Sequence, residues 1–198
     1  EGVIEEFAAE DGFTEDRESD RGFAVGVGAE LSDGFAVGHD GDLAVSGHVA
    51  DEVAGFGAAV HTVPYTGDRE DPERLIAKAK EVGAKLIYFA NPDNPMGTWH
   101  EAETVERMIS EVPEGALLIL DEAYIEFAPE GTAPRVDPAD PRVIRMRTFS
   151  KAQGLAGARV GYAIGAAKVI EAFNKVRNHF GMSRISQAGA LAALKDKA

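Results

Sequence analysis

Apolar and polar positions follow two different periods along the chain from residue 53 onward. Short runs rich in apolar residues predict strands, and most of these runs suit a sheet that is covered on both faces. The predicted strands cover residues 58–64, 85–90, 116–120, 142–147 and 159–164.

Between these runs, apolar positions recur at helical spacing, most clearly over residues 100–112. Asp71 is a good N-cap with Pro72 in the first helical position, and we expect the helix that they open to end at Gly83. Two further helices are predicted over residues 166–177 and 183–197, the second with Ser183 as its N-cap.

The alternation of strands and helices predicts an α/β fold with a mainly parallel sheet sandwiched by helices. Ligands of such sheets bind beyond the carboxyl ends of the strands. Asn91–Asn94 follows one predicted strand, Asp121–Tyr124 a second, and Ser150–Lys151 a third. We therefore expect three polar clusters to meet at one edge of the sheet.

Residues 1–52 differ in composition from the rest of the chain. They hold 15 acidic and two basic residues, for a net charge of −13, whereas residues 53–198 hold 19 acidic and 18 basic residues. This shift predicts a boundary near residue 52. A repeated Gly-Phe-Ala-Val-Gly, at 22–26 and 34–38, suits at most a crude pair of strands, and we expect the segment to be poorly ordered or mis-framed.

The overall composition narrows the function classes. The chain lacks cysteine, so it has no disulfides and no thiolate metal sites, which fits a cytoplasmic protein, and we predict no metal site. The formal charge of −14 disfavours nucleic acid and anionic membranes as partners. No apolar stretch reaches the length of about 20 residues that a membrane helix needs.

Lys151 is the first candidate for chemistry. It follows a predicted strand and lies in a stretch of small and apolar residues that ends at Gly157. An amine that loses its proton in such surroundings is nucleophilic toward an aldehyde. The alternative is a solvated surface lysine.

Asp121 ends a predicted apolar strand, where a carboxylate needs a partner. That partner could be the protonated ring nitrogen of a heterocyclic cofactor, with the Tyr124 hydroxyl beside the same ring; the alternative is a structural cap or an ion pair. Asn94 lies in a turn built by two prolines. Thr148, Ser150 and Arg159 could bind a phosphate, although Arg159 could equally face solvent.

Four motifs carry a family resemblance: Asn91–Gly97, Leu120–Tyr124, Thr148–Lys151 and Arg159–Tyr162. Together they resemble the fold-type I aminotransferases, which use pyridoxal 5'-phosphate, and within these the chain is most similar to the histidinol-phosphate aminotransferase group. The resemblance implies that residues 53–198 are part of the cofactor-binding large domain. We find no counterpart of the family's small domain and no match for residues 1–52, so we expect the large domain to be incomplete.

The resemblance also implies a role for each candidate residue. Lys151 would form the Schiff base with the cofactor and move the substrate proton, and Asp121 would keep the pyridine nitrogen protonated. Asn94 and Tyr124 would bind the ring 3'-oxygen. Thr148, Ser150 and Arg159 would hold the phosphate.

The implied reaction transfers an amino group between glutamate and a phosphorylated or aromatic partner, with histidinol phosphate as the leading candidate. The implied parent enzyme is a homodimer acting on small molecules in the cytoplasm. Alternatives are another aminotransferase or a decarboxylase of the same fold type, or an inactive cofactor-binding fragment. The ring-stacking tyrosine, a Gly-rich phosphate loop and the carboxylate-binding arginine are not identifiable, so we expect this chain to transaminate near background.

Overall fold

A computed structural model of the chain describes residues 23–27, 42–45, 59–177 and 181–196. Its strands are β1 Phe23–Val27, β2 Asp42–Val45, β3 Ala59–Thr62, β4 Leu86–Ala90, β5 Leu117–Asp121, β6 Val143–Thr148 and β7 Gly161–Gly165. Its helices are α1 Pro72–Val82, α2 Ala102–Ser110, α3 Ala167–Val176 and α4 Arg184–Lys195. No helix among these residues is long and apolar enough to cross a membrane.

The seven strands form one sheet in the order β1-β7-β6-β5-β4-β2-β3. The neighbours from β6 to β3 run parallel, whereas β7 runs antiparallel to both β6 and β1. The predicted α/β fold with a mainly parallel sheet is therefore confirmed.

The helix ends follow the predicted caps. The Asp71 side chain accepts a hydrogen bond from the Arg74 amide, Pro72 occupies the first turn, and Gly83 ends the helix in the left-handed conformation. Ser183 likewise accepts a hydrogen bond from the Ser186 amide at the start of α4. These caps confirm the helix boundaries that were predicted from local sequence.

Apolar side chains cover both faces of the central strands. On one face, Leu118 and Leu120 of β5 pack with buried residues of α1 and α2, including Leu75 and Val105. On the other face, Ile119 packs in a separate buried cluster with residues of β6, β7 and α3. This burial on two faces explains why the central strands are apolar without strict alternation.

Two strands of the sheet come from the first 52 residues. Phe23–Val27 pairs with β7, and Asp42–Val45 lies between β3 and β4. The expected pairing of segments 22–26 and 34–38 stays a prediction, because residues 34–38 lie outside the described residues. The division at residue 52 stays a prediction.

Candidate active site

The carboxyl ends of β4, β5 and β6 meet at one edge of the sheet. Ala90 pairs with Asp121, and Asp121 pairs in turn with Met146, so the three strands end at similar heights. Asn91 follows the first strand directly, and Lys151 lies three residues beyond the third. The structure therefore brings the three predicted clusters to the same edge.

The turn after β4 is held in place by hydrogen bonds at both of its ends. The Asn91 amide donates a hydrogen bond to the Asp121 carbonyl at 2.9 Å, and the Asn91 side chain bonds both backbone groups of His100. Within the turn, the Gly97 amide donates to the Asp93 carbonyl, with Gly97 in the left-handed conformation. This framework leaves Asn94 exposed at the tip of the turn.

Asp121 is half-buried at the end of β5, and both of its carboxylate oxygens are bound. The Tyr88 hydroxyl donates to Oδ2 at 2.6 Å, and the Ala123 amide donates to Oδ1 at 2.9 Å. Burial raises the pKa of Asp121 above its ordinary value, while these two hydrogen bonds and the charge of Lys151 lower it. The carboxylate is thus held by donors in a poorly solvated position.

Lys151 and Tyr124 lie together at the same edge of the sheet. The Lys151 Nζ atom is 5.2 Å from the centroid of the Tyr124 ring, a cation–π distance. Lys151 is exposed, so its amine is open to a ligand, and its charge acts on Asp121. An amine, a carboxylate and a phenol therefore share one end of the sheet.

An open cavity of about 540 Å³ lies between the turn and the segment after β5. Asn94 lines one side of this cavity and Tyr124 the other, with Trp99 and Phe127 adding aromatic surface. Two predicted binding residues from distant parts of the chain thus face the same space.

The predicted phosphate residues lie where β6 turns toward β7. The Ser150 amide donates to Thr148 Oγ1 at 3.1 Å, and Arg159 bonds the Ala156 carbonyl at 3.1 Å from a left-handed backbone. Thr148 pairs with Gly161, so continuing this antiparallel register sets Ser150 opposite Arg159. The Ser150 hydroxyl is buried and has no hydrogen-bond partner among the described residues.

Sequence reasoning missed two residues next to Asp121. Tyr88 belongs to a run that was interpreted as a buried apolar strand, yet its hydroxyl binds Asp121. Glu122 is fully buried and pairs with Arg145 and Arg147 of β6. Two sequence features could have indicated these residues: Tyr88 is a tyrosine within an otherwise apolar strand, and Glu122 is an acidic residue directly after another apolar strand.

The sheet order, with β7 antiparallel at its flank, and a lysine and an aspartate at its carboxyl edge define the large domain of a fold-type I enzyme. A family model described as aminotransferase class I and II matches residues 46–198. The chain belongs to this family, which confirms the resemblance drawn from the motifs.

Known relatives agree with this assignment. The chain is similar to histidinol-phosphate aminotransferase 2 of Pseudomonas fluorescens, at 40% identity over 71% of the chain and 39% of the relative. It is 41% identical to an aromatic amino acid aminotransferase of Nocardia farcinica, over 67% of the chain and 38% of the relative. The chain thus spans well under half the length of these curated relatives.

A solved structure supports the fold directly. The histidinol-phosphate aminotransferase of Sinorhizobium meliloti, solved in complex with pyridoxal-5'-phosphate, superposes with a TM-score of 0.75 at 48% sequence identity. The match covers 81% of this chain and 46% of that chain. An aspartate aminotransferase of Thermus thermophilus with maleate gives a TM-score of 0.71 at 25% identity, covering 81% of this chain and 44% of that chain.

Proposed function

We propose that the chain carries the pyridoxal-phosphate site of an aminotransferase, with Lys151 as the residue that binds the cofactor covalently. The observation that best supports this proposal is that the Lys151 amine lies over the Tyr124 ring, in a position where the charge of Lys151 acts on the carboxylate of Asp121. An amine that becomes nucleophilic when it loses its proton, at the same edge as a held carboxylate, is what an aldehyde with a basic ring nitrogen requires.

The side chains present fit this cofactor. Its phosphate needs hydroxyl, amide or guanidinium donors, and the Ser150 hydroxyl is a buried group still lacking a partner among the described residues. Its ring oxygen needs neutral donors, and Asn94 and Tyr124 face the same cavity. Its ring nitrogen needs an anion, and the Asp121 carboxylate lies at the carboxyl end of β5 at this edge.

The proposed chemistry divides between the residues. When bound, pyridoxal phosphate supplies an electron sink for the electron pair left on the substrate α-carbon. Asp121 holds a proton on the ring nitrogen, because its carboxylate attracts the protonated form. The Lys151 amine would take the proton from the substrate α-carbon as a general base and would deliver it, as a general acid, to the cofactor carbon that carried the aldehyde.

The other contacts orient rather than react. Asn94 and Tyr124, which line the same cavity, would donate hydrogen bonds to the ring oxygen. Thr148, Ser150 and Arg159 bind the phosphate with charge-assisted hydrogen bonds, which are stronger than neutral ones. Binding the phosphate between β6 and β7 would hold the cofactor at the same edge of the sheet as Lys151.

For the substrates, we propose glutamate as amino donor and a phosphorylated or aromatic partner, with histidinol phosphate as the leading candidate. Support comes from relatives named histidinol-phosphate aminotransferase and aromatic amino acid aminotransferase, which match at comparable identity. Assays of the chain with glutamate and either imidazole acetol phosphate or an aromatic 2-oxo acid distinguish the two. Absence of turnover with both favours the inactive cofactor-binding fragment. Assembly as a homodimer and a cytoplasmic location belong to the same proposal.

The covalent role of Lys151 is tested by chemical trapping. The chain is incubated with pyridoxal phosphate, reduced with borohydride, digested and mapped by mass spectrometry. We expect the label on Lys151, its loss in Lys151→Met, and its retention in the matched control Lys168→Met, which alters an exposed lysine of α3. A label on Lys168 or Lys175 instead of Lys151 would disprove the assignment.

A further inference from the structure

Tyr88 connects two neighbouring strands through its side chain. It lies in β4, two residues before Ala90, which pairs with Asp121 of β5. Its hydroxyl reaches across the strand pair to Asp121 Oδ2 at a distance of 2.6 Å. This is a short hydrogen bond, as expected between a hydroxyl donor and an ionised carboxylate acceptor.

We propose that Tyr88 is a positioning residue, whose hydroxyl holds the Asp121 carboxylate ionised and in one orientation at the site edge. The orienting effect is a property of the chain itself. Its purpose, presenting the carboxylate to the ring nitrogen of pyridoxal phosphate, rests on the function proposed above.

The geometry fixes the carboxylate by two contacts from different directions. Tyr88 binds Oδ2 from the adjacent strand, while the Ala123 amide binds Oδ1 from the chain immediately after β5. With one donor on each oxygen, rotation about the last side-chain bond would break both contacts. A carboxylate accepts about four hydrogen bonds, so lone pairs remain for a ligand.

Tyr88 can act here as a donor because it stays protonated. Burial raises the pKa of Tyr88 well above its ordinary value, and the negative charge of Asp121 raises it further. A neutral phenol favours the charged form of the carboxylate over the neutral form, since a carboxylate is the stronger acceptor. Tyr88 thereby opposes the effect of burial on Asp121.

Other charged groups act on the same pair. Glu122, next along the chain, raises the pKa of Asp121, and Lys151, after β6, lowers it. Glu70 and Asp93, on segments flanking β4, raise the pKa of Tyr88 and so keep the phenol protonated. The surrounding charges therefore leave Tyr88 in the donating form over the physiological pH range.

A purely structural role for Tyr88 is the competing explanation, because its ring also packs against the cluster around Ile119. Phenylalanine keeps the ring and its packing but removes the donor. Tyr88→Phe therefore separates the two roles. A matched control exists in Tyr65, whose hydroxyl donates to Oδ2 of a different carboxylate, Asp93, at 2.9 Å.

The test is a pH titration of the cofactor-free chain, followed by the ¹³C resonances of aspartate side-chain carboxyls. Asp121→Asn assigns the Asp121 signal, and circular dichroism checks that each variant is folded. In Tyr88→Phe we expect the acid dissociation constant of Asp121 to fall about tenfold, which corresponds to about 1.4 kcal/mol. In Tyr65→Phe we expect the Asp121 titration to match that of the parent chain.

An unchanged Asp121 titration in folded Tyr88→Phe overturns the role of Tyr88, as does an equal change in Tyr65→Phe. Because this titration needs no cofactor, its failure leaves the proposed function standing. The proposed function fails separately, if borohydride trapping in the parent chain leaves Lys151 unlabelled. As a second readout, we expect Tyr88→Phe to lower the affinity for pyridoxal phosphate most at acidic pH, because Asp121 of the variant becomes protonated at a higher pH than Asp121 of the parent chain. An equal loss of affinity at every pH would contradict the proposal.

Discussion

The buried carboxylate of Glu122 is bound by two nitrogens of the Arg145 guanidinium. Arg145 Nη2 lies 2.7 Å from Oε1 and Nε lies 3.0 Å from Oε2. Arg147 adds a third hydrogen bond, from its Nε to Oε2 at 2.9 Å. This cluster therefore links the end of β5 to β6. Because Glu122 follows Asp121 directly and successive side chains of a strand point to opposite faces, the cluster lies on the face of the sheet opposite to the Asp121 side chain.

Removing the Glu122 carboxylate is expected to destabilise the chain severely. Glu122→Ala leaves two largely buried guanidinium groups without their shared anion, and breaking a buried ion pair in this way costs about 3–5 kcal/mol. Urea unfolding followed by circular dichroism measures the loss in free energy of unfolding.

Lys80→Ala provides the matched control for Glu122→Ala. Its ion pair with Glu111 spans 3.5 Å between side chains that are 53% and 50% exposed. Exposed pairs contribute about 0–1 kcal/mol, so this variant should unfold near the parent midpoint. Equal effects of the two variants would show that burial of the Glu122 cluster adds no stability.

Asp121→Asn is expected to separate stability from cofactor binding. Burial raises the folded-state pKa of Asp121 above the unfolded value of about 3.9, so the folded chain binds the proton more tightly. This contribution to stability is complete below the unfolded pKa and is lost as pH rises through the folded pKa. The amide carries no charge to bury, so at neutral pH the cofactor-free variant should be as stable as the parent, or more stable.

Thermal unfolding of both chains from about pH 4 to about pH 8 checks this sign. The difference between Asp121→Asn and the parent should grow in favour of the variant as pH rises. Pyridoxal phosphate binding, measured on the same samples, should be weaker in the variant because a neutral amide supplies no negative charge to stabilise a protonated ring nitrogen. A variant that loses stability at neutral pH and keeps its affinity would identify Asp121 as a structural cap.

The sequence was sufficient to predict those parts of the site that depend on neighbouring residues or on the order of strands along the chain. Asn94, Asp121 and Lys151 could be placed at one edge because each follows a strand of a parallel sheet. The caps of α1 and α4 could be predicted because cap and helix are adjacent in sequence.

Side-chain contacts between neighbouring strands could not be predicted from patterns of hydrophobic and polar residues. Tyr88 and Asp121 are 33 residues apart, and their hydrogen bond depends on the register of β4 against β5. The Glu122 cluster depends in the same way on the register of β5 against β6. Strand Phe23–Val27 was missed as a part of this sheet because its acidic, Gly-rich surroundings carry no sustained period, and its partner strand β7 is distant in sequence.

Gly161 is expected to tolerate no side chain. A Cβ atom at this position would lie 2.7 Å from the Arg147 carbonyl oxygen, which belongs to the backbone of β6 and cannot rotate away. Gly161→Ala should therefore push β7 from β6, at a cost of about 1–3 kcal/mol. It should also weaken pyridoxal phosphate binding, because Ser150 and Arg159 lie at the same end of this strand pair.

Gly157→Ala serves as the control for Gly161→Ala, since a Cβ atom there meets nothing within 4 Å. Both glycines follow Lys151, and both substitutions add one methyl group. Thermal unfolding should separate the two variants clearly. If Gly161→Ala melts with the parent chain, the close approach of β6 and β7 at this point is absent in solution.

Ser150→Ala is expected to change stability and cofactor affinity in opposite directions. The Ser150 hydroxyl is buried without a partner among the described residues, and an unsatisfied buried polar group costs about 1–3 kcal/mol. Its removal should leave the cofactor-free chain as stable as the parent or more stable. If the hydroxyl binds the phosphate, its removal also deletes a hydrogen bond to a charged group, worth about 1.5–3 kcal/mol, so affinity should fall roughly tenfold or more.

Thr148→Val, at another proposed phosphate ligand, is expected to lower both stability and cofactor affinity, whereas Ser150→Ala is expected to lower affinity alone. Thr148 Oγ1 accepts the Ser150 amide at 3.1 Å, so its loss should lower the stability of the cofactor-free chain by about 0.5–1.5 kcal/mol. Calorimetric titration with pyridoxal phosphate, together with unfolding of the same cofactor-free variants, gives both quantities. A Ser150→Ala chain that binds the cofactor as tightly as the parent would remove Ser150 from the phosphate site, and one that loses stability would show that its hydroxyl already has a partner.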